Sequence, residues 1–457
     1  MDSSPSDPDP NRRLARFAAA DSLDALPAGS RIAAVRQIAD TVAVGWAGSA
    51  EDGAVQAADL ARAEGGDARV PLWGSADRVT VAQATFANGV AAAALDYDCV
   101  HRDSLLHPAA VTVPLALALA AETGADGRKT VDSHIIGCEV MCRVSAATPR
   151  QSNWFPASIY AVFGAAATAA RLLDLDPERT RHALGLALAQ AAGTKQAIAE
   201  RSLAKRFQTA FAARAGLLAA RLAAAGVTAA GHFLDGPGGL FALYESGDPA
   251  RVVDGLGESF TFQDTTIKKY PACLCTHVVI EGVRALRDRY QIGENDITTM
   301  EAIITPYMNR LIGGAYDPGQ DPQVAAQFSA AYTAACALRY GGFRLAHIEP
   351  AAAADPAMAA LARSVAVGVF DDRDGHLAPA RVAVTLRDGS RREILLDEVP
   401  NAATGPDAEA AVAEKVLDCL TRGRAPLSEP AARVLLGRLL DLDRAPDVHG
   451  LFDGLPH

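Results

Sequence analysis

The feature that most restricts the fold is a change of hydrophobic period that occurs once and then reverses. From about residue 30 to residue 290 the apolar positions recur at helical spacing, in alanine-rich runs that favour helix wherever no Gly or Pro intervenes. Between about 295 and 400 the pattern becomes strand-like, at 300–305, 365–370, 381–386 and 391–396. The last two stretches are joined by Arg387-Asp388-Gly389-Ser390, whose Asp-Gly pair signals a hairpin turn. Helical spacing returns over 407–421 and 429–440. Strands bracketed on both sides by helices predict a mainly α chain, an all-helical domain with a smaller α+β domain inserted into it. The expected boundaries are a poorly ordered lead-in over 1–25, a helical domain over 26–268 plus 404–457, and the α+β domain over 269–403.

With 457 residues the chain can bury an ample core. Its formal net charge of −11 argues against nucleic-acid binding, which calls for a basic face, but leaves room for a local basic pocket. The apolar runs are alanine-heavy and interrupted by charges, so no membrane span is expected. Residues 1–11 are polar and carry no apolar core of a signal peptide. The seven cysteines are scattered, and Cys273-Leu274-Cys275 has no second pair to complete a zinc site. Free thiols in a reducing cytoplasm are the simplest reading, with no metal and no nucleotide cofactor expected.

One polar stretch stands out between two apolar flanks. Residues 95–108, Leu-Asp-Tyr-Asp-Cys-Val-His-Arg-Asp-Ser-Leu-Leu-His-Pro, hold Asp96, Asp98, Asp103, His101, His107 and Cys99. They separate Val90–Ala94 from the run that begins at Val111, both of which read as buried helix. Such a concentration either solvates a connection or lines a site. A carboxylate beside an imidazole is a workable acid–base pair. His107 reads as one member of it, or as a buried histidine bonded to a carbonyl; Asp98 reads as a helix cap or as a supporting partner. Further on, Gly137-Cys138-Glu139 and Arg143 place an ion pair at i, i+4, read as structural.

The pattern Ala94-Leu95-Asp96-Tyr97-Asp98, then His107-Pro108 and an apolar helix, resembles the active-site loop of the MmgE/PrpD superfamily, whose members include dehydratases, decarboxylases and an epimerase of small carboxylic acids. Other matches follow in the family's order. Ser202-Leu203-Ala204-Lys205-Arg206-Phe207-Gln208 is similar to its lysine motif, and Lys268-Lys269-Tyr270-Pro271-Ala272-Cys273 with His277 to its "K-x-Y-P-x-C-x-x-x-H". The resemblance implies a helical domain closed by an α+β lid, a homodimer, and a small carboxylate as substrate. It assigns His107, Asp96, Lys268, His277 and Cys273 to catalysis. Lys205, Asp98, His101, Ser104, Phe155, Gln208 and Tyr270 are assigned to substrate binding. Lys205 and Lys268 make physical sense there, because a di- or tricarboxylate needs fixed positive charge. Cys273 reads as an acid or base near a helix start, or as a small buried residue; His277 reads as a cap or a first-turn residue.

This chain also departs from the family. Phe155 and Gln208 stand where the family commonly has histidines, and Ser104 or Cys99 would have to replace a loop hydroxyl. The leading expectation is a cofactor-free lyase, a dehydratase or decarboxylase that stabilises an enolate. An isomerase on the same fold is the second expectation, and a non-catalytic homologue the third.

Overall fold

A computed structural model describes residues 8–20, 23, 26–149, 153–200, 202–402 and 408–455. The chain divides into two compact units, Met1–Ile267 with Ala403–His457, and Lys268–Ala402.

The first unit is built of helices. Pro108–Thr123 runs through its centre, with every residue from Pro108 to Ala120 buried. Around it stand Ser30–Gly48, Val81–Ala94, Gly127–Ala146, Ala161–Leu172 and Ala204–Ala224. Small residues bring these helices backbone to backbone. A Cβ added at Gly164 would lie 2.4 Å from the Gly137 carbonyl oxygen, and one at Gly216 would lie 2.4 Å from the Ala165 Cβ. Either substitution would force two packed helices apart. The C-terminal helices Ala408–Leu420 and Glu429–Leu440 return to this unit and pack on Ser30–Gly48.

The polar lead-in contains more structure than its composition suggests. Pro10–Ala18 is a helix, capped by Asp9, with Leu14, Ala15 and Ala18 buried. Buried Asn11 ties it down by donating to Asp235 and accepting from the Leu234 N–H. The rest of the expected lead-in, residues 1–7, 21–22 and 24–25, lies outside the described residues.

The second unit carries a four-stranded sheet in the order Val365–Val369, Ile297–Ile304, Ala380–Leu386, Arg391–Leu396. The first pair is parallel and the other two antiparallel. The Asp388-Gly389 hairpin forms, with Gly389 at φ +82°. Helix Leu274–Tyr290 packs on the two hairpin strands. Gly282 allows that approach, since a Cβ there would lie 2.7 Å from Val382 Cγ2.

Strand pairing is not confined to 295–400. Val100–His101 pairs antiparallel with Thr265–Thr266 inside the helical unit, which ties the polar loop to a segment about 165 residues away in sequence. Among the described residues no helix is long and apolar enough to cross a membrane.

Candidate functional site

The polar loop begins where the helix Val81–Ala94 stops. Leu95 caps that helix, and Asp96 turns the chain into the left-handed region at φ +49°, a conformation that Asp tolerates better than most residues. The loop closes on itself: the His101 N–H donates to the Leu106 carbonyl at 2.9 Å, and the Leu105 N–H to the His101 carbonyl at 2.9 Å. It ends at His107, the residue before helix Pro108–Thr123, which starts with proline at its first position.

Two ion pairs form on this frame. Asp98 Oδ2 lies 2.7 Å from His107 Nδ1, with Asp98 1% and His107 15% exposed at their side chains. Asp96 Oδ1 lies 2.5 Å from Lys205 Nζ, which arrives from the first turn of helix Ala204–Ala224. Of the two readings of Asp98, cap or supporting partner, the second is the one present: Asp98 holds the imidazole, and Asp96 is the counterion of the lysine. A carboxylate can only accept, so in this pair His107 Nδ1 is the donor and Nε2 is the ring's other nitrogen. The two pairs adjoin, because ligand atoms of Asp96, Asp98 and His107 all lie within 4.8 Å of one another. Such a donor set suits a divalent cation as well as a proton. Lys205 already places a positive charge against Asp96, which favours the second use.

His101 and Ser104 are turned to each other. Both are buried. His101 Nε2 donates to the Thr261 carbonyl at 2.8 Å, and its Nδ1 accepts from the Ser104 N–H at 3.1 Å and hydroxyl at 2.8 Å. Burial pushes the His101 pKa down, against the opposing pull of the Thr261 carbonyl, so both ring nitrogens are engaged in holding the loop. Cys99 is buried too and donates its S–H to Asp40 Oδ2 at 3.3 Å. Burial raises its thiol well above the usual value, so it stays protonated.

Behind the loop lies a network that the sequence reading missed. Lys415 Nζ, from the C-terminal helix Ala408–Leu420, lies 2.6 Å from Asp40 Oδ1 and donates to the Tyr97 carbonyl at 2.8 Å. It also sits 3.8 Å from the centroid of the Tyr97 ring. Burial raises the Asp40 carboxyl, and Lys415 and the Cys99 thiol pull it back. The signal was in the sequence: Lys415 shares the buried face of its helix with Val412, Val416 and Cys419. Glu139 and Arg143 form the expected buried pair at 2.5 Å. The arginine also binds the carbonyls of Asp254 and Ser259, and Glu139 accepts from the Phe262 N–H, so the pair clamps the segment that carries Thr261.

Phe155 and Gln208 come close together although 53 residues separate them (208 − 155). The Phe155 N–H donates to the Gly193 carbonyl at 3.1 Å. The Ser158 hydroxyl donates to the Gln208 carbonyl at 3.2 Å. Gly193 fits between, at φ +115°, where a Cβ would lie 2.6 Å from Ser158 Oγ and 2.7 Å from Gln208 Oε1.

The second unit holds the remaining residues at its start. Lys268 and His277 are buried there. His277 lies in the first turn of helix Leu274–Tyr290, and Cys273 is that helix's N-cap residue and only partly buried. The Tyr270 hydroxyl donates to Glu281 and accepts from Arg284 at 2.8 Å. Burial, reinforced by Glu281, raises its pKa and keeps it a phenol. The His277 ring meets the Tyr270 ring edge-on at 5.1 Å.

Two sequence models cover most of this chain. The MmgE/PrpD N-terminal domain matches residues 12–252 and the MmgE/PrpD C-terminal domain residues 270–434. The chain belongs to the MmgE/PrpD family. It is 29% identical over 359 residues to a cis-aconitate decarboxylase-like protein of Aspergillus oryzae, covering 73% of this chain and 74% of that protein. It is 26% identical over 288 residues to human cis-aconitate decarboxylase, covering 61% of this chain and 58% of the human protein. With the cis-aconitate decarboxylase of Aspergillus terreus (strain NIH 2624) the identity is 28% over 335 residues, or 67% and 68% of the two chains.

Proposed function

We propose that this protein is a lyase of the decarboxylase type, acting on a small carboxylic acid through a carbanion stabilised as an enolate. The observation that carries this reading is the pair of pairs on the polar loop, Asp98–His107 beside Asp96–Lys205. Lys205 supplies the cation for a substrate carboxylate, and Asp96 holds that cation in place until the substrate arrives. The carbon–carbon bond to the departing carboxylate breaks, CO2 leaves, and the electron pair stays on carbon, spread into the neighbouring carboxylate. His107 Nε2, protonated beforehand, then delivers a proton to that carbon, with Asp98 fixing the ring and offsetting its positive charge. In the elimination branch of the same chemistry, neutral Nε2 removes the α-proton instead. These steps use only the chain's own side chains. The relatives named as cis-aconitate decarboxylases support the decarboxylase branch.

The test is turnover in deuterated water followed by proton and carbon NMR, with small di- and tricarboxylates as substrates. Loss of CO2 with one deuterium on the former α-carbon is the expected result. Deuterium exchange without any bond to carbon dioxide or a leaving group being broken would replace this reading with an isomerase.

A further inference from the structure

Gln208 is 8% exposed, and its amide nitrogen is buried with no hydrogen-bond partner among the described residues. Native proteins leave few buried donors unpaired, because each forfeits its bond to water without replacement. The side chain lies three residues after Lys205 on the helix Ala204–Ala224, a spacing that puts both on one face. The residues across from it, Gly193, Ser158 and Phe155, are uncharged. The Phe155 segment and Ser158 flank it through Gly193, and Phe155 itself is buried.

We propose that the Gln208 amide is specificity-determining and donates its N–H to an uncharged oxygen of the substrate next to the carboxylate held by Lys205. The proposal rests on the site described above and narrows its substrate class. An amide can bond a carboxylate but cannot neutralise it, and a second carboxylate buried against Gln208 and Phe155 would lack a counterion. A carboxamide, ester or hydroxyl oxygen takes the same hydrogen bond at no such cost. Beside the carboxylate that departs, the substrate class therefore carries one carboxylate at Lys205 and a neutral acceptor one helical turn further along.

Maleate and its monoamide, maleamate, differ only in that second group. Their dissociation constants for the full-length protein, measured by titration calorimetry, test the proposal without requiring turnover, so it can fail while the lyase reading stands, and the reverse. Wild-type protein is expected to prefer maleamate by about fivefold to tenfold, because the second carboxylate of maleate would be buried without a counterion. Gln208→Leu is expected to weaken maleamate binding by about fivefold to tenfold, the worth of one hydrogen bond, while leaving the unfolding midpoint unchanged or higher, since an orphan donor has been removed. Gln208→Met serves as the second variant should the leucine disturb folding. Equal affinity for the two acids or a preference for maleate in the wild type, failure to bind either acid, maleamate affinity unchanged by the substitution, or a clearly lowered unfolding midpoint would each overturn the proposal.

Discussion

Replacing Lys415 by Met removes one charge from a pair in which the side chains are 5% and 0% exposed. Breaking a buried ion pair from one side costs about 3–5 kcal/mol, because the remaining charge stays desolvated without its partner. Here the loss also includes the bond to the Tyr97 carbonyl and the contact with the Tyr97 ring, so the upper part of that range is expected. Protonation of Asp40 provides the escape. Its carboxyl is already raised by burial against the opposing pull of Lys415, and without the lysine it rises further. A raised folded-state value means the native state holds a proton that the unfolded state releases. Stability is then retained below the unfolded value and lost as pH rises through the folded one. The deficit of Lys415→Met relative to wild type should accordingly widen from pH 5 to pH 8. Urea unfolding followed by circular dichroism at several pH values measures it, as a shift of midpoint at constant slope. Adding Asp40→Leu should recover much of the loss, since an apolar replacement of both charges is often neutral. The reasoning is refuted if the single variant costs less than about 1 kcal/mol, or if the double variant is as unstable as the sum of the singles.

Three further outcomes are expected. His107→Asn should lower kcat by about 100-fold to 10,000-fold, the usual worth of a general acid or base, with an unchanged unfolding midpoint; near-wild-type kcat would remove His107 from the chemistry. Lys205→Met should raise KM for a carboxylate substrate by about tenfold or more, and kinetics with only kcat affected would mean the lysine acts in the transition state alone. Prolonged treatment with a chelator should leave activity unchanged if Asp96, Asp98 and His107 serve proton transfer, whereas loss restored by a divalent cation would assign them to a metal.

How far the sequence could be read depended on whether the cause was local. The hairpin at Asp388-Gly389 follows from turn chemistry within two residues and is present; helix Pro177–Leu188 likewise starts at a local signal, the Asp176 cap followed by proline. The Asp9-Pro10 start of the first helix carried the same cap signal, overridden by the polarity around it. Non-local partners were not legible. Nothing within 95–108 says that His101 would be satisfied by a carbonyl 160 residues on, or that Cys99 would point to Asp40. Those two tethers bury the residues that looked reactive. The choice of His107's partner is the clearest case. Asp96 and Asp98 are the same residue type and both lie a short loop before His107. The left-handed turn at Asp96 and the helix that brings Lys205 decide between them, and neither is visible as a pattern.

The loop that carries the two pairs is held at several points by distant chain. Lys415 grips the Tyr97 carbonyl from 318 residues away, Thr261 accepts from His101 across 160, and the Ser145 hydroxyl donates to the Ser104 carbonyl. Tyr97 lies between Asp96 and Asp98, so fixing its carbonyl fixes the backbone from which both carboxylates project. A contact this remote gains its energy only after the intervening chain has folded. The Lys415 tether comes from the helix that follows the inserted unit in sequence. The loop's final geometry therefore depends on Ala408–Leu420 being docked, since without that helix Asp40 has no Lys415 beside it. Those contacts account for a buried lysine on an otherwise apolar helix face, in a chain segment with no motif of its own: the inserted unit separates it in sequence from the loop, and the fold brings it back to Asp40 and Tyr97.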